Sequence, residues 1–454
     1  MSTRNSNGSL EPREQWGTKL GFMLAATGSA IGLGNIWRFP FVVGEGGGAA
    51  FVLIYLGFVC LIGIPLLIGE ISIGRKGRAN AMDSYKTIKP KSKWYFNGYI
   101  SILINFMILS FYSVVAGWAF YYFVLALTGQ LITNDRSYEN VFEGFITNPF
   151  MPIIWQILLM GLVVAIVMGG VKKGIEKWNN ILMPTLFILL IILVFRSLSL
   201  ENAHIGLQFF LKPDFSAINS STILAALGQA FFSLSLATGL YVTYGSYSRS
   251  NSNLPANAGG IVFLDLVVAI MAGLIIFPAV FHYGIDPQSG PDLVFITFPT
   301  MFTDMAFGTI FAVVFFFFVF VAALTSAISL LEVVVAFVKE KFLMSRKAAT
   351  IIAGAVITVV GLFCTLSFGP LSHITILDRT IFELFDFISA EVLLPFAGLI
   401  LALFLGWGWK PAGVKEEVEK EGNPFPLFKT WSFLIKYVIP IIIIVIFLDS
   451  LGVI

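Results

Sequence analysis

Oxygen-bearing side chains stand inside strongly apolar stretches of this chain, where they could bind a small cation. Residues 322–329, Ala-Ala-Leu-Thr-Ser-Ala-Ile-Ser, place the hydroxyls of Thr325 and Ser326 side by side. Residues 232–239, Phe-Ser-Leu-Ser-Leu-Ala-Thr-Gly, add two serines, a threonine and a glycine. Hydroxyl and carbonyl oxygens are hard ligands, but a hydroxyl in a regular helix usually bonds back to the preceding turn. A cation site therefore also needs carbonyls that no helix hydrogen bond uses.

The stretch 28–40, Gly-Ser-Ala-Ile-Gly-Leu-Gly-Asn-Ile-Trp-Arg-Phe-Pro, could provide those carbonyls. Gly28, Gly32 and Gly34 are poor helix formers, and Pro40 lacks a backbone donor. In lipid every freed N–H and C=O must find a partner, so an interruption here makes sense if the open backbone binds an ion or a substrate. The alternative is that the glycines only let helices pack closely.

The composition places these stretches in a membrane. The 454 residues are 57% hydrophobic and 12% charged, with a mean hydropathy of +0.89, which is too apolar for a soluble domain. We expect an all-α integral membrane protein. The net charge of +2 gives no support for nucleic-acid binding. Cys60 and Cys364 lie in apolar segments, which argues against a disulfide framework or a metal cluster, and the polar N-terminal tail does not resemble a signal peptide.

Eleven apolar stretches are long enough to cross a bilayer. They are residues 17–42, 48–74, 94–128, 152–169, 176–197, 222–248, 258–284, 306–342, 347–367, 380–408 and 430–448. The connection 75–93 holds seven Lys and Arg, whereas the connection after the seventh span holds Asp286, Asp292 and Asp304 and no Lys or Arg. Since Lys and Arg favour the cytoplasmic side, the N-terminus is predicted to be cytoplasmic and the C-terminus outside.

The breaks at 28–40 and 232–239 fall in the first and sixth spans, which suggests an internal repeat. Two halves of five spans, 17–197 and 222–408, would be inverted relative to each other, because each has an odd number of crossings. The tail 1–16, the cytoplasmic connection 409–429 and an eleventh helix within 430–454 complete the predicted organisation. Paired broken helices indicate the central site of a transporter, since they offer N-termini to an anion and carbonyls to cations.

Three segments carry a resemblance to a known family. Arg13-Glu-Gln-Trp16, the stretch 28–40 and Gly46-Gly-Gly-Ala-Ala-Phe51 closely resemble the signature of the neurotransmitter:sodium symporter family. The resemblance extends over nearly the whole chain. Most eukaryotic members have twelve spans and a long second extracellular loop, so eleven spans and a short loop look like the bacterial amino-acid transporters of the family.

The resemblance implies two sodium ions and no organic cofactor. The first ion would be bound by the carbonyl of Ala30 and the side chains of Asn35, Ser233 and Asp265, where members usually have Asn at the last position. Position 269, which is Ser in chloride-dependent members, is Ala here, so Asp265 would supply the charge that chloride gives elsewhere; a structural hydrogen bond is the alternative for this carboxylate. The second ion would be bound by the carbonyls of Gly28, Ile31 and Ala322 and the hydroxyls of Thr325 and Ser326.

The resemblance also implies an amino-acid site. The N–H groups of Leu33 and Gly34 and the Tyr112 hydroxyl would hold the carboxylate, and the carbonyls of Ala30, Phe232 and Ser233 with the Ser235 hydroxyl would take the amino group. Members that carry monoamines have Asp where this chain has Gly32, which favours a substrate with its own carboxylate. The side-chain pocket would be formed by Ile108, Phe232, Thr238, Ser326 and Leu330, and we expect an apolar or aromatic substrate.

Gates are implied at both ends of this site. Arg38 and Asp386 would pair at the outer mouth above Tyr112 and Phe232, and Arg13 and Glu340 would pair at the cytoplasmic side, capped by Trp16. Gly174 and Pro184 have the spacing at which the fifth span unwinds in the family, although a plain proline kink fits the sequence equally well. Glu70 and Glu332 are interpreted as structural carboxylates.

These features predict a sodium-coupled importer of hydrophobic or aromatic L-amino acids that works by alternating access, independently of chloride. Its partners would be a small-molecule amino acid and the lipid bilayer of a bacterial inner membrane, with the oligomeric state left open and a monomer among the options. The alternative is a sodium-coupled carrier of another amine or an osmolyte. A channel or receptor of the same fold is a rival that uphill accumulation would exclude. An intramembrane enzyme is disfavoured because no Ser-His pair, paired Asp or metal-ligand cluster lies at membrane depth.

Overall fold

The protein was analysed as a computed structural model, which describes residues 3–4, 10–11, 13–133, 137–284, 293–303 and 305–450. Asp286, Asp292 and Asp304, which entered the orientation argument, lie outside these ranges, as do half of the predicted tail 1–16 and residues 451–454. Two short strands, Thr3–Arg4 and Leu10–Glu11, pair antiparallel in the tail. The rest of the described chain is helical or irregular.

The helices of the first half follow the predicted spans, with short helices in the connections. They are Lys19–Ala30, Gly34–Arg38, Phe39–Glu45, Ala49–Gly77, Ala81–Ile88, Phe96–Leu127, Tyr138–Ile146, Met151–Met168 and Val171–Leu198. The two parts of the first span meet at an angle of 61°, and residues 31–33 separate them. The fifth span begins with the π-helix Val171–Glu176 and then runs as an α-helix through Pro184.

The second half repeats this pattern. Its helices are Ala203–Leu211, Phe215–Ala217, Ser220–Ser233, Leu240–Ser246, Leu254–Tyr283, Leu293–Thr297, Phe298–Thr303, Gly308–Lys341, Arg346–Leu366, Ile381–Gly408, Pro411–Val418, Lys420–Gly422, Phe428–Phe433, Leu434–Val438 and Ile439–Ser450. In the described ranges nine continuous helices are long and apolar enough to span a membrane, and the bent first pair is a tenth. The remaining prediction, 222–248, corresponds to Ser220–Ser233 and Leu240–Ser246.

The third and eighth spans form the centre of the molecule. Phe96–Leu127 and Gly308–Lys341 are the most completely buried of the long helices, and they pack against each other. Both are apolar around most of their circumference, as expected for a helix enclosed by other helices. The fifth and eleventh spans are the least buried, so most of their apolar surface faces outward. The broken helices are thus held against a rigid central pair.

The break in the sixth span has an unusual backbone that buried side chains hold in place. Ser235 and Ala237 have positive φ values of 49° and 63°, which are costly for residues with a Cβ and persist only where the surroundings compensate. The Glu70 carboxylate accepts hydrogen bonds from the N–H groups of Ala237 (3.2 Å) and Gly239 (3.3 Å). The Asn105 amide donates to the Thr238 carbonyl at 2.5 Å. Glu70 therefore has the structural contacts expected from the sequence.

Candidate functional site

A buried polar cluster joins the first, second, sixth and seventh spans. The Asn35 amide nitrogen lies 2.8 Å from the Asp265 carboxylate and 3.1 Å from the Ser233 hydroxyl, and Ser233 donates to Asp265 at 2.9 Å. All three side chains are at most 1% exposed. A buried carboxylate normally has a cationic partner, yet no ion pair of the described residues includes Asp265. The cluster therefore has the composition of a monovalent cation site, provided that a half-turn of the Asn35 amide presents its oxygen.

Tyr55 belongs to this cluster and was missed by the sequence reasoning. Its hydroxyl donates to Ser233 at 3.1 Å and to Asp265 at 3.4 Å, and the side chain is 1% exposed. The available signal was a single phenol in the aliphatic stretch 52–56 of the second span. A phenol there needs a buried acceptor, and Asp265 was an intramembrane carboxylate without an assigned donor.

Three of the five groups predicted for the second sodium ion lie together at the break of the first span, and the other two are hydrogen bonded to each other within the eighth span. The Ser326 hydroxyl is 3.5 Å from the carbonyl oxygen of Gly28 and 3.2 Å from that of Ile31. The Thr325 hydroxyl is 3.0 Å from the carbonyl oxygen of Ala322. Five neutral oxygens suit Na⁺ better than a divalent ion, which favours carboxylates. The described residues contain no group of three His, Cys, Asp or Glu placed to hold a metal ion.

A cavity lies between the two breaks, and ten of the eleven residues predicted to bind substrate line it. Its walls comprise Ser29, Ala30, Gly32, Leu33, Gly34, Ile108, Tyr112, Phe232, Ser235, Thr238, Ser326, Leu330 and Leu394. Ser29, Gly32 and Leu394 are not among the eleven. Ser233, predicted to bind substrate through its carbonyl, is not among the lining residues, and its side chain lies in the Asp265 cluster predicted for the first ion. The carbonyl of Phe232 already accepts a hydrogen bond from the Ser235 N–H at 3.0 Å, so an amino group would use its second lone pair.

The walls of this cavity are both polar and apolar. The Leu33 N–H points to the Tyr112 hydroxyl at 3.5 Å, a long contact that a carboxylate could replace. Ile108, Phe232 and Leu330 add hydrocarbon surface to the walls, and the Phe232 ring lies beside Gly34. These walls suit a molecule that has both a carboxylate and an apolar side chain.

The outer mouth differs from the predicted gate. Arg38 and Asp386 line the same outer cavity, but no ion pair within 4.0 Å joins these two described residues. The Arg38 guanidinium instead lies over the Phe232 ring, 4.4 Å from its centre. Tyr112 and Phe232 line both the outer cavity and the inner one, so the two rings separate them. The ion pair between Arg38 and Asp386 therefore remains a prediction, for a conformation other than this one.

Arg13 and Glu340, the pair predicted for the cytoplasmic gate, are in contact. The Arg13 guanidinium contacts the Glu340 carboxylate directly and also donates to the Ser246 hydroxyl at 2.6 Å. The second oxygen of Glu340 accepts a hydrogen bond from the Asn80 backbone at 2.8 Å. Trp16 is 3% exposed, and its indole N–H donates to the Tyr244 carbonyl at 3.0 Å. The N-terminal segment is thereby held against the C-terminal ends of the sixth and eighth spans.

Replacing Arg13 with alanine is expected to release this segment. Hydrogen bonds to charged groups contribute roughly 1.5–3 kcal/mol each, so losing the Glu340 contact should raise the opening equilibrium at least about tenfold. The measurement is hydrogen exchange at the backbone amides of residues 16–18. The exposed neighbouring cation Lys19, changed to alanine, is the control. Equal exchange in R13A and wild type would show that the pair does not hold the segment.

Comparisons with known proteins agree with this geometry. A family model described as the sodium:neurotransmitter symporter family matches residues 13–144 and 145–454. A Bacillus subtilis (strain 168) protein described as the uncharacterized sodium-dependent transporter YhdH is 41% identical over 441 residues, which cover 97% of this chain and 98% of that protein. An uncharacterized sodium-dependent transporter of Haemophilus influenzae is 35% identical over 99% of this chain and 100% of its own length.

A solved structure shows the same architecture. The crystal structure of MhsT in complex with L-phenylalanine matches with a TM-score of 0.90 and 46% identity, over 97% of this chain and 100% of that chain. The shared fold includes broken first and sixth helices within two inverted five-helix repeats and one further helix. The chain therefore belongs to the sodium:neurotransmitter symporter family and is a sodium-dependent, multi-span helical transporter.

Proposed function

We propose that the protein imports hydrophobic or aromatic L-amino acids together with two sodium ions, without chloride. The observation that carries this proposal is the cavity between the broken helices, whose walls combine the backbone of Leu33 and Gly34 and the Tyr112 hydroxyl with the hydrocarbon surface of Ile108, Phe232 and Leu330. The carboxylate would lie at the N-terminal end of the outer half of the first span, where freed N–H groups favour an anion. The solved structure of a similar transporter with L-phenylalanine supports an aromatic side chain.

Coupling to sodium would arise because the ion and the substrate share ligands. Ala30 lines the cavity and is predicted to give its carbonyl to the first ion, so a bound carboxylate would complete that ion's shell. Ser326 lines the same cavity and contacts the carbonyls of the second site. Each ligand then raises the affinity of the other by the same factor. Asp265 would balance the positive charge of the first ion, which removes the need for chloride.

Transport would follow from the contacts at the two ends of the cavity. The closed Arg13–Glu340 contact and the separated Arg38 and Asp386 correspond to a state closed toward the cytoplasm. Filling of the site would allow Arg38 and Asp386 to approach and the bundle of the first, second, sixth and seventh spans to rock against the rest. Breaking the Arg13 contact would then open the cytoplasmic side. The Arg13 and Glu340 side chains are only 14% and 13% exposed, so this opening step must first break a mostly buried contact.

The membrane arrangement is part of the proposal. The N-terminus would be cytoplasmic and the C-terminus outside, in the inner membrane of a bacterium, with repeats at 17–197 and 222–408, a cytoplasmic connection at 409–429 and the last helix within 430–454. Binding and translocation would be the whole activity, with no chemical conversion of the substrate.

Uptake into proteoliposomes tests the proposed function. A panel of labelled amino acids would be offered under an inward gradient of Na⁺ or of K⁺, with chloride or gluconate as the anion. We expect concentrative uptake of a few apolar or aromatic amino acids that requires Na⁺ and is equal in both anions. Accumulation of amines or osmolytes that lack an α-carboxylate, with no amino-acid uptake, would favour the alternative carrier and contradict the role given to Gly32.

Replacing Asn35 with alanine tests the shared ligands. The change removes a predicted ligand of the first ion that also neighbours the substrate site, so the affinities for sodium and for substrate should fall together. We expect each affinity to fall by about tenfold, because the loss of one neutral polar partner costs roughly 1–3 kcal/mol. Equilibrium binding of a labelled substrate at varied Na⁺ measures both. Asn180, an exposed residue of the fifth span, serves as the control when changed to alanine. An unchanged sodium affinity in N35A would remove Asn35 from the site.

A further inference from the structure

The first and fifth spans pack closely along a row of glycines. A Cβ at Gly21 would lie 2.2 Å from the Glu176 carboxylate, and a Cβ at Gly28 would lie 2.7 Å from the Asn179 side-chain oxygen and 2.8 Å from the Met183 sulfur. Gly28 is the residue whose carbonyl oxygen faces the Ser326 hydroxyl in the second sodium site. The fifth span therefore places one amide side chain directly beside a residue of that site.

The Asn179 side chain is fully buried, and only one of its two polar atoms has a hydrogen-bond partner among the described residues. Its amide nitrogen donates to the Ile175 carbonyl at 2.9 Å. Because a carbonyl can only accept, the nitrogen must face Ile175 and the oxygen must point the other way. That oxygen has no hydrogen-bond partner among the described residues, and the side chain is 0% exposed.

An unpartnered buried amide oxygen needs an explanation. Leaving such a group without a partner costs roughly 1–3 kcal/mol, whereas leucine, of similar size, would fill the same space at no such cost. Met183, one turn further along the same face, shows that this interface accepts apolar side chains. Packing alone therefore does not explain an oxygen at this position, whereas transient binding of a ligand to this oxygen does.

The order of contacts along the interface places this oxygen toward the start of the first span. Glu176 contacts Gly17 near the N-terminal end of that span, whereas Asn179 and Met183 contact Gly28. Asn179 is therefore the neighbour of Gly28 that lies nearer to this end, which is the cytoplasmic end in the proposed orientation.

A charged group lies further along the same interface. The Glu176 carboxylate accepts hydrogen bonds from the backbone N–H groups of Gly17 (2.6 Å) and Thr18 (3.0 Å) and is 4% exposed. These contacts tie the start of the first span to the fifth. When the N-terminal segment moves away, the Glu176 carboxylate loses these two hydrogen-bond donors. It then faces the opening between the first and fifth spans, where its charge attracts a cation.

We infer that the side-chain oxygen of Asn179 is a transient ligand for the sodium ion that leaves the second site toward the cytoplasm. The inference rests on the proposed function and adds a residue to its inward-release step. In the closed state the ion is held by the first and eighth spans. As the cytoplasmic side opens, the Asn179 oxygen replaces a carbonyl or hydroxyl ligand that the ion has lost. The ion therefore does not lose all of its protein ligands at the same time.

The test separates sodium binding from sodium release. Asn179→Leu keeps the volume and removes the oxygen, Asn179→Asp keeps an oxygen ligand, and Asn180→Leu makes the same change on the exposed side of the same turn. Turnover of net uptake would be measured in proteoliposomes, and the Na⁺ dependence of equilibrium substrate binding would be measured on the purified proteins. We expect N179L to lower turnover by about tenfold, the effect of a barrier raised by roughly 1.4 kcal/mol, with Na⁺-dependent binding within twofold of wild type.

The other variants decide whether the oxygen itself matters. N179D should turn over faster than N179L and should be inhibited by lower internal Na⁺ than wild type, because its charge holds the ion more strongly. N180L should match wild type. If N179L gives no folded protein by size exclusion, Asn179→Ala takes its place.

Three results would overturn the inference: wild-type turnover in N179L, equal slowing in N179L and N179D, or a sodium affinity that falls as much as turnover does. The second would indicate a packing role and the third a ligand of the resting site. A wild-type protein that shows no Na⁺-driven uptake would instead contradict the proposed function, so the two failures are distinguishable.

Discussion

Asp265→Asn is expected to lower the sodium affinity of uptake by at least about 30-fold. Asp265 is the one formal charge in the cluster with Asn35, Ser233 and Tyr55, and its side chain is 0% exposed. Removing one member of a buried, hydrogen-bonded charge pair costs roughly 2–5 kcal/mol, and here the other member would be the sodium ion. Asparagine keeps the size of the side chain, so the change acts mainly on charge.

The same variant should alter the response to chloride. If Asp265 replaces the anion that other members bind, uptake by wild type is equal in chloride and gluconate, and the residual uptake of D265N at high Na⁺ is stimulated by chloride. Initial uptake rates at varied Na⁺ in each anion give both quantities. Asp214, an exposed aspartate in the connection before the sixth span, provides the control D214N. A sodium affinity within threefold of wild type in D265N would assign the carboxylate to structural hydrogen bonding alone.

Gly32→Ala should abolish most substrate binding through a single methyl group. A Cβ at position 32 would lie 2.6 Å from the Ser326 hydroxyl oxygen and 3.2 Å from the Tyr112 hydroxyl oxygen. Overpacking of this kind costs about 1–3 kcal/mol, and relief by rotation of Ser326 would take its oxygen away from the second sodium site. We therefore expect substrate affinity to fall at least about fivefold and the sodium dependence to weaken with it.

A matched glycine elsewhere controls for the loss of backbone freedom. A Cβ at Gly57 would meet no atom within 4 Å, and the residue is exposed on the second span. Gly57→Ala should leave uptake unchanged. Equilibrium binding of the preferred amino acid in G32A, G57A and wild type makes the comparison. If G32A bound substrate as wild type does, the cavity beside Gly32 would not be the substrate site.

Much of the fold followed from the sequence because the bilayer allows few solutions. A run of about 20 apolar residues must become a helix, so all eleven predicted spans correspond to a helix or a divided helix. Both breaks were recognisable because glycine, proline and hydroxyl residues are costly inside a lipid-facing helix. The motif at 28–40 then identified most residues that line the cavity.

Side-chain partners were less accessible from the sequence. The role of Tyr55 was missed because no residue of the second span indicates that its hydroxyl contacts Asp265, which lies 210 positions further along the chain. The outer pair of Arg38 and Asp386 was expected to be closed, but the guanidinium stacks on Phe232. Which contact an arginine makes depends on the conformational state, and one sequence encodes all states of the cycle.

The sequence by itself determined that this chain is a helical membrane protein with two broken helices, since hydropathy and helix-breaking residues act locally and their effects can be read position by position. Only the tertiary structure decided which polar atoms meet. The close approach of Asn179 to Gly28, the carboxylate of Glu70 that holds the break in the sixth span, and the placement of Ser326 against the first-span carbonyls join residues far apart in the chain. Such contacts depend on distances of a few ångströms between packed helices, which residue types and spacing along one chain do not specify.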